Sequence, residues 1–329
     1  GSRCPYGLDQ ENAGWRMNVE SSCMAVDLGG TQLRVGHVDA GGNLLWREAA
    51  PTANNGDPYQ VLEQIRELAA GFDFSSIRGI AVASPGPFDT ISGTVCRIPT
   101  LVGWDNFPLR QAVEDYFHLP VIVENDAIAA TVGEWRFGAG SGYSNVVYLT
   151  ISTGIGGGIV ADGSVVRGRR GFAGHLGHII VDPYGDAVCS CGATGCFEAL
   201  ASGTALGRRA QLLAASKRDS PLHALAKGLP VSARDVTEAA RLGDPDALEL
   251  MAEEGEFLGI GITSIIHALS PDVVVLGGGV SKGFDLFETS MRTALESRLL
   301  SEFQALILPV SLGDDAGLIG AASLLLDPA

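Results

Sequence analysis

Long hydrophobic runs and an excess of positive charge are both missing from this 329-residue sequence. No apolar run approaches the roughly 18 residues of a membrane-spanning helix, and the first 22 residues lack the apolar segment of a secretory signal peptide. Lys and Arg number 22 against 38 Asp and Glu, a net charge of −16. Such a charge repels nucleic-acid backbones and acidic membranes. We therefore expect a cytoplasmic protein that binds neither nucleic acid nor membrane.

Strand-like and helical patterns alternate along the chain, which is typical of α/β layers. With 46% hydrophobic residues the chain can bury a sizeable core. In one helix Leu258, Ile262, Ile265, Ile266 and Leu269 share an apolar face, which predicts a buried helix that ends before Ser270-Pro271. The predicted strands cover 23–27, 44–48, 79–83, 121–124, 146–151, 273–276 and 306–310, and the main predicted helices cover 58–70, 108–117, 126–137, 203–216, 245–269 and 284–299.

The length favours two lobes over a single core. We expect an N-terminal leader over 1–22, one lobe over 23–128 and a second over 129–313, with a helix over 314–329 returning to the first lobe. MAVDLGGT at 24–31 is loosely echoed by VYLTISTGIGGG at 147–158. Two halves of similar topology, each offering a loop to a shared cleft, would explain the echo, and so would chance.

Glycine, at 44 residues, gathers in short clusters after apolar strands. Backbone without side chains lets phosphate groups approach closely, and a carboxylate at a strand end can hold Mg²⁺ through water. An ordinary strand turn is the alternative at each cluster. The sequence contains neither a P-loop motif nor a credible Rossmann fingerprint. The candidate nucleotide residues are Asp27, Gly29, Gly30, Thr31, Thr153, Gly154, Gly277, Gly278 and Gly279.

Asp126 lies in VIVENDAIAA, where a predicted strand ends and a helix begins. A lone aspartate at such a junction usually caps the helix. Phosphoryl transfer to a hydroxyl, however, needs a carboxylate that accepts the proton. Beside three glycine loops, we interpret Asp126 as a base.

The spacing His178-x10-Cys189-x-Cys191-x4-Cys196 is the strongest local signal. Three thiolates and one imidazole complete a tetrahedral Zn²⁺ site, and a site with four protein ligands is structural. In a reducing compartment such a cluster indicates metal rather than disulfides. We therefore predict a zinc loop over 178–196, with His175 free to face a ligand and Glu198 positioned by the same loop.

DLGGT, ENDA, STGIGGG and AGHLGH with CSCGATGCFEALASG occur in the order and spacing of the ROK family (repressor, open reading frame, kinase), which this chain resembles over residues 24–326. The resemblance implies a two-lobed actin-like ATPase fold of the sugar kinase and Hsp70 superfamily. It also implies ATP with Mg²⁺, structural Zn²⁺ and transfer of the γ-phosphate to a sugar 6-hydroxyl. Family members are often dimers or tetramers, so a homodimer or homotetramer is expected.

The resemblance also implies roles for individual residues. Asp126 is the implied catalytic base, and the nine glycine-loop residues named above are assigned to the nucleotide. His178 is assigned both to the metal and to the sugar. The implied sugar-binding residues are Gly86, Thr100, Asn106, Asn125, Asp126, His175, His178 and Glu198.

Two departures from the common glucokinase pattern concern the substrate. His175 stands where family glucokinases usually have Glu, and Thr100 follows Pro99 where they have Asn. Bacterial N-acetylmannosamine kinases resemble the chain at AGHLGH, and an imidazole suits a different C2 substituent. We therefore predict an N-acetylmannosamine 6-kinase, with glucokinase as the alternative because GWDNFPL at 103–109 is glucokinase-like.

Features of the sequence argue against three other functional classes. Only about two dozen residues precede the first predicted strand, too few for the winged helix of a ROK repressor, and retention of Asp126 argues against a non-catalytic sugar sensor. Polyphosphate as donor is disfavoured by the negative charge unless a basic track exists. The only dense basic run, Arg167, Arg169 and Arg170, is interpreted as a solvated loop.

Overall fold

The computed structural model describes residues 22–98, 101–217, 222 and 230–327. They form two compact units, the first containing the described residues up to Gly142, Ile159–Gly174 and those from Asp314 onward, the second Tyr143–Gly158 and His175–Gly313. The predicted boundary after residue 128 differs from this division, because the helix starting at Asp126 runs unbroken to Phe137. Of the predicted leader, 1–21 lie outside the described residues, and Ser22 already belongs to a strand.

The first unit contains a five-stranded sheet in the order β3-β2-β1-β4-β7. β1 pairs antiparallel with β2 and parallel with β4, which in turn pairs parallel with β7. A short hairpin of β5 and β6 lies apart from this sheet. The strands are β1 Ser22–Leu28, β2 Gln32–Asp39, β3 Leu44–Pro51, β4 Ile80–Ser84, β5 Phe88–Asp89, β6 Thr94–Val95 and β7 Val121–Asn125.

Helices cover both faces of this sheet because β1 is apolar on both sides. Met24 and Val26 enter one core, with α1 Pro58–Leu68 and α2 Leu109–Phe117. Cys23 and Ala25 enter the opposite core, with α3 Asp126–Phe137 and α9 Ala316–Leu326. The alternation follows from the two-residue period of a strand.

The second sheet has the order β10-β9-β8-β11-β12, with β11 parallel to both β8 and β12. Its strands are β8 Val146–Ile151, β9 Ile155–Ala161, β10 Ser164–Val165, β11 Val273–Gly277 and β12 Leu306–Pro309. The described helices of the second unit are α4 Phe197–Ala201, α5 Gly203–Ser216, α6 Ala233–Arg241, α7 Pro245–Leu269 and α8 Phe284–Glu296. Single 3-10 turns occur at Phe74–Ser76, Arg169–Gly171, Leu176–His178, Val280–Gly283 and Gly313–Asp315.

The two sheets repeat one strand order. In each, three consecutive strands lie side by side, and two later strands extend the sheet beyond the first of them. β1 and β8, the strands of the two echoed segments, therefore hold the same central position. The echoed segments are therefore equivalent strands and turns of a repeated topology.

The predicted segments are confirmed, with small shifts at their ends. Helix α7 buries Leu258, Ile262, Ile265 and Ile266, but the expectation for Leu269 is wrong, since 38% of it is exposed. Leu269 is the last helical residue, and Ser270 then turns the backbone into the left-handed region. Among the described residues, no helix combines the length and apolarity needed to span a bilayer.

Helices α3 and α9 pack backbone to backbone, which requires glycine at their crossing. A side chain at Gly320 would clash with the carbonyl oxygen of Ala129, and one at Gly133 with that of Ala316. Such a contact cannot be relieved by a rotamer change, because the obstacle is backbone. Gly317, on the same helix, would meet only ordinary contacts at 3.4 Å or more.

Gly320→Ala should lower the stability of the protein by about 2–3 kcal/mol, since overpacking costs about that much. For a domain of this size the melting temperature should fall by roughly 5–10 °C. Thermal melts of the variant and of Gly317→Ala, the control, would measure the effect. Equal melting temperatures for the two variants would contradict the close packing of α3 and α9.

Candidate active site

Asp27, near the end of β1, is the carboxylate of the first glycine turn. Its Oδ2 accepts a hydrogen bond from Arg34 Nη1 at 2.9 Å. Burial raises the pKa of Asp27, Arg34 opposes that rise, and the charges of Asp315 and Asp314 add to it. A divalent cation would relieve this excess of negative charge, and the carboxylate oxygens are the donors that Mg²⁺ prefers.

The turn after Asp27 is held by its own backbone. The N–H of Gly29 donates to the carbonyl of Gln32 at 2.9 Å, and Thr52 Oγ1 donates to the carbonyl of Gly29 at 2.6 Å. Gly30 and Thr31 form the remainder of the turn, and Thr31 is exposed. The turn is therefore ordered by its own hydrogen bonds and leaves Thr31 exposed to solvent.

The sequence left two roles open for Asp126, helix cap and catalytic base. In the structure it is Asn125 that caps the helix. Asn125 is the N-cap of α3, its Oδ1 accepting from the N–H groups of Ala127 at 3.1 Å and Ile128 at 3.2 Å. Asp126 is the first helical residue and accepts from Ala127 N–H at 2.8 Å. Because α3 is capped by Asn125, the partly buried Asp126 carboxylate is not needed as the cap.

The pKa of Asp126 is raised to about 7, first by burial and then by the negative charge of Asp27. Hydrogen bonds to the carboxylate from backbone and from Asn125 oppose the rise. A general base works best when its pKa lies near the operating pH. The electrostatics of this strand end therefore suit proton transfer near neutral pH.

Of the other predicted sugar-binding residues in the first unit, Gly86 lies beside Asn125. A side chain at Gly86 would come within 3.1 Å of Asn125 Nδ2. Asn106 is exposed and adopts a left-handed backbone with φ 55°, between the buried Trp104 and Phe107. Thr100 lies outside the described residues.

The predicted metal ligands come together in the second unit. One donor atom from each of His178, Cys189, Cys191 and Cys196 lies within 4.8 Å of the others. His178 Nδ1 is 3.6 Å from Cys189 Sγ, and the sulfurs of Cys191 and Cys196 are 3.7 Å apart. Tetrahedral Zn²⁺ with bonds of about 2.3 Å to sulfur places its ligand atoms about 3.8 Å apart. The four residues fit zinc.

Glu198 connects the metal loop with the second glycine loop. Its Oε1 accepts from Ser190 Oγ at 2.6 Å, and its Oε2 accepts from the N–H of Ile155 at 2.9 Å. A side chain at Gly154 would clash with Oε2. The contact with Ser190 was not predicted, because the spacing of the cysteines carries no information about the residue between them.

His175 is exposed and lies outside the metal cluster, as predicted. Its ring stacks on that of His178 with centroids 6.1 Å apart and planes 15° from parallel. Loss of surrounding water, and secondarily the neighbouring His178, lower the pKa of His175. His175 is therefore a neutral imidazole near neutral pH, able to donate and to accept a hydrogen bond.

The remaining predicted nucleotide residues of the second unit lie in two glycine loops, at 153–154 and at 277–279. The carbonyl of Thr153 accepts from Thr204 Oγ1 at 2.7 Å, and the Thr153 side chain is exposed. Gly278 has φ 88° and would clash with the carbonyl of Ile151 if it carried a side chain. Gly277 is closed in by Tyr148, whereas Gly279 has nothing within 4 Å of its missing side chain.

The basic run at 167–170 is not a solvated loop at every position, so that expectation is wrong. Arg167 Nε lies 3.0 Å from Oε2 of the fully buried Glu124, and the Arg167 side chain is only 15% exposed. Arg170 binds Asp89 through Nε at 2.9 Å and Nη2 at 2.7 Å. Arg167 is therefore part of the packed structure, whereas Arg170 stays 48% exposed while it pairs with Asp89.

Comparison with known proteins agrees with the sequence motifs. The chain is 35% identical to a glucokinase from Halalkalibacterium halodurans over 92% of this chain and 94% of that protein. A ROK family glucokinase from Streptomyces griseus, solved with glucose and AMPPNP, is 34% identical with a TM-score of 0.80, over 92% of this chain and 99% of the other. A candidate N-acetylmannosamine kinase from Listeria monocytogenes is 26% identical with a TM-score of 0.76, covering 93% and 98%.

The predicted resemblance is confirmed by the family match, which extends over residues 23–327 and is described as the ROK family. The α/β fold is that of ROK sugar kinases and is similar to the fold of actin-like ATPases. With most of its length matched, the chain belongs to the ROK family.

Proposed function

We propose that this protein is an ATP-dependent sugar 6-kinase in which Asp126 is the catalytic base. One observation carries the proposal: a partly buried carboxylate with a pKa of about 7 stands at a helix start whose cap is supplied by its neighbour. The charge of Asp27 is the second cause of that pKa, so the carboxylates at the ends of β1 and β7 interact. The ROK relatives that are kinases support the reaction class.

In this mechanism Asp126 accepts the proton of the sugar 6-hydroxyl as that oxygen forms a bond to the γ-phosphorus of ATP, while the bond from the γ-phosphorus to the β–γ bridging oxygen breaks and ADP leaves. Asn125 holds the base in place through the α3 cap, and Gly86 leaves room for the Asn125 amide. Backbone and hydroxyls at Thr31 and Thr153 are assigned to the phosphates. Mg²⁺, when bound near Asp27, would offset charge on the leaving phosphate. AMPPNP in the Streptomyces griseus relative supports ATP as donor.

N-acetylmannosamine is the sugar that we propose, on the strength of His175. The exposed, neutral imidazole replaces a carboxylate that only accepts hydrogen bonds, so it can meet an acetamido group with either donor or acceptor. His178 and Glu198 are the other proposed sugar ligands of the second unit. Glucose is the second candidate, supported by the 35% identity to glucokinases.

Zn²⁺ is the proposed occupant of the four-residue cluster, where it would be structural. All four ligand positions are protein side chains, so no open position is left for a substrate. A bound metal would fix the loop that carries Ser190, whose hydroxyl holds Glu198. The zinc site would therefore act on sugar binding through the orientation of Glu198.

The substrate proposal predicts a higher kcat/KM for N-acetylmannosamine than for glucose in an ATP-coupled assay that also includes N-acetylglucosamine, mannose, fructose and allose. His175→Glu should reverse that order by roughly tenfold or more, because it restores the carboxylate of the glucokinase pattern. A preference for glucose in the wild type would overturn N-acetylmannosamine as substrate. The control is His267→Glu, a substitution on α7 outside the proposed site.

Asp126→Asn should lower kcat about 100-fold or more, because the amide cannot take up the proton. Loss of less than tenfold would contradict the role of Asp126 as base.

The wild-type kcat/KM should fall as the pH drops below about 7, where Asp126 becomes protonated.

The same substitution should stabilise the protein free of ligands at high pH. The folded pKa of Asp126 lies above its ordinary value of 3.8. The contribution of this group to the free energy of unfolding is therefore fully present below about pH 4 and is lost as the pH rises through about 7. At pH 8 Asp126→Asn should therefore melt at least about 2 °C higher, and the difference should vanish near pH 4. Asp285→Asn, at an exposed aspartate in the first turn of α8, should show no such gain.

Cys191→Ser should remove about one equivalent of zinc per chain, measured by elemental analysis of the purified protein. Cys96→Ser, outside the cluster, is the control and should leave the metal content unchanged. Retention of zinc by Cys191→Ser would exclude the proposed ligand set.

Loss of zinc should also raise the KM for the sugar more than the KM for ATP, since Glu198 is held by the metal loop.

A further inference from the structure

The fully buried carboxylate of Glu124 lies directly before Asn125 and Asp126 on the last strand of the first sheet. Its two oxygens are bound separately: Oε1 accepts from the N–H of Asn125 at 2.9 Å, and Oε2 accepts from Arg167 Nε at 3.0 Å. A continuous chain of hydrogen bonds thus runs from Arg167 through Glu124 to the residue that caps α3. That residue, Asn125, directly precedes Asp126, and its side chain hydrogen-bonds to the Asp126 carboxylate.

Arg167 begins a loop that is itself fixed at several points, the arginine loop of residues 167–173. The N–H of Ala173 donates to the carbonyl of Arg167 at 2.9 Å and closes the loop. Arg170 forms its two bonds to Asp89, and its carbonyl accepts from the N–H of Thr90 at 3.3 Å. These contacts hold the backbone that carries Arg167. The Arg167–Glu124 pair is therefore more ordered than an ion pair between two flexible surface side chains.

The charge of Arg167 is needed as well as its position. A buried carboxylate without a counter-charge is strongly unfavourable, and removal of one partner of a buried pair is costlier than removal of both. Asp126 already faces the negative charge of Asp27, which is in turn affected by Arg34, Asp314 and Asp315. An uncompensated charge on Glu124 would add a further negative group two residues from the base.

We propose that Arg167 is a positioning residue for phosphoryl transfer: by neutralising and orienting Glu124, it fixes the strand end that presents Asn125 and Asp126. This inference depends on the proposed function, because it assigns to Arg167 an effect on the base of that reaction. Arg167 itself touches none of the reacting atoms.

The experiment compares Arg167→Gln, Arg167→Lys and the double variant Glu124→Gln with Arg167→Gln. Arg167→Gln should lower kcat about 10- to 100-fold and change the KM for ATP less than threefold, since the buried Glu124 carboxylate loses the guanidinium that binds its Oε2. The acid limb of kcat/KM should move up by about one pH unit, because the like charge of Glu124 disfavours ionised Asp126. Arg167→Lys should be intermediate, as it keeps the charge but not the planar donor group.

The double variant should recover to within about tenfold of the wild type, and its acid limb should return to the wild-type position. Neutral amides at positions 124 and 167 can still hydrogen-bond to each other, while the amide oxygen at position 124 accepts from the N–H of Asn125. A purely structural role would lower the folded fraction in all variants without moving the pH profile. Arg241→Gln, which breaks an exposed pair with Asp285, is the matched control and should leave kcat unchanged.

Three results would overturn the inference: a folded Arg167→Gln enzyme with kcat within threefold of the wild type, an acid limb that does not move, or a double variant no better than the single one. If Arg167→Gln shows no melting transition, Arg167→Lys and the double variant decide by the same criteria. A wild-type protein without activity on any sugar would instead refute the proposed function, which distinguishes the two failures.

Discussion

Burial of the central strands on both faces is the constraint on which the site depends. β1 sends Met24 and Val26 into one core and Cys23 and Ala25 into the other, so it has no free face for a polar side chain. Ionisable groups can enter such a sheet only where the strands end. Because β1, β4 and β7 run parallel, their carboxyl ends lie at one edge, which is where α/β sheets bind ligands. Asp27 and Asp126 lie at this edge for that reason.

Gathering carboxylates at one edge has an electrostatic cost that the chain offsets with arginines. Arg34 binds Asp27, and Arg167 binds Glu124. Within the described part of the chain no arginine pairs with Asp126, and its pKa rises to about 7. A carboxylate kept partly buried with little compensation destabilises the free protein but is ready to accept a proton at neutral pH. The same raised pKa of Asp126 therefore lowers the stability of the free protein and suits the residue to act as the proposed base.

The sequence predicted those parts of the structure that depend on neighbours along the chain. Strands and helices follow from local hydrophobic period, and the gathering of His178 with three cysteines follows from their close spacing. The sequence could not predict which of Asn125 and Asp126 caps α3, because either side chain can cap a helix. Arg167 and Arg170 look like one basic patch, yet their partners lie 43 and 81 residues away. The boundary after residue 128 differs from the observed division for a related reason, since the unbroken helix α3 packs on α9, β4 and β7 of the first unit.

The glycine loops show how one residue pattern can serve two purposes. The sequence alone is compatible at each cluster with close approach by a nucleotide or with an ordinary strand turn. In the structure, Gly278 is required by the backbone carbonyl of Ile151, so the protein itself accounts for that glycine, whereas Gly154 lies against the movable carboxylate of Glu198. Only Gly279, of the three at the end of β11, has open space beside it. A cluster of glycines therefore predicts tight packing first, and the ligand must be argued from the groups that stay exposed, here the hydroxyls of Thr31 and Thr153.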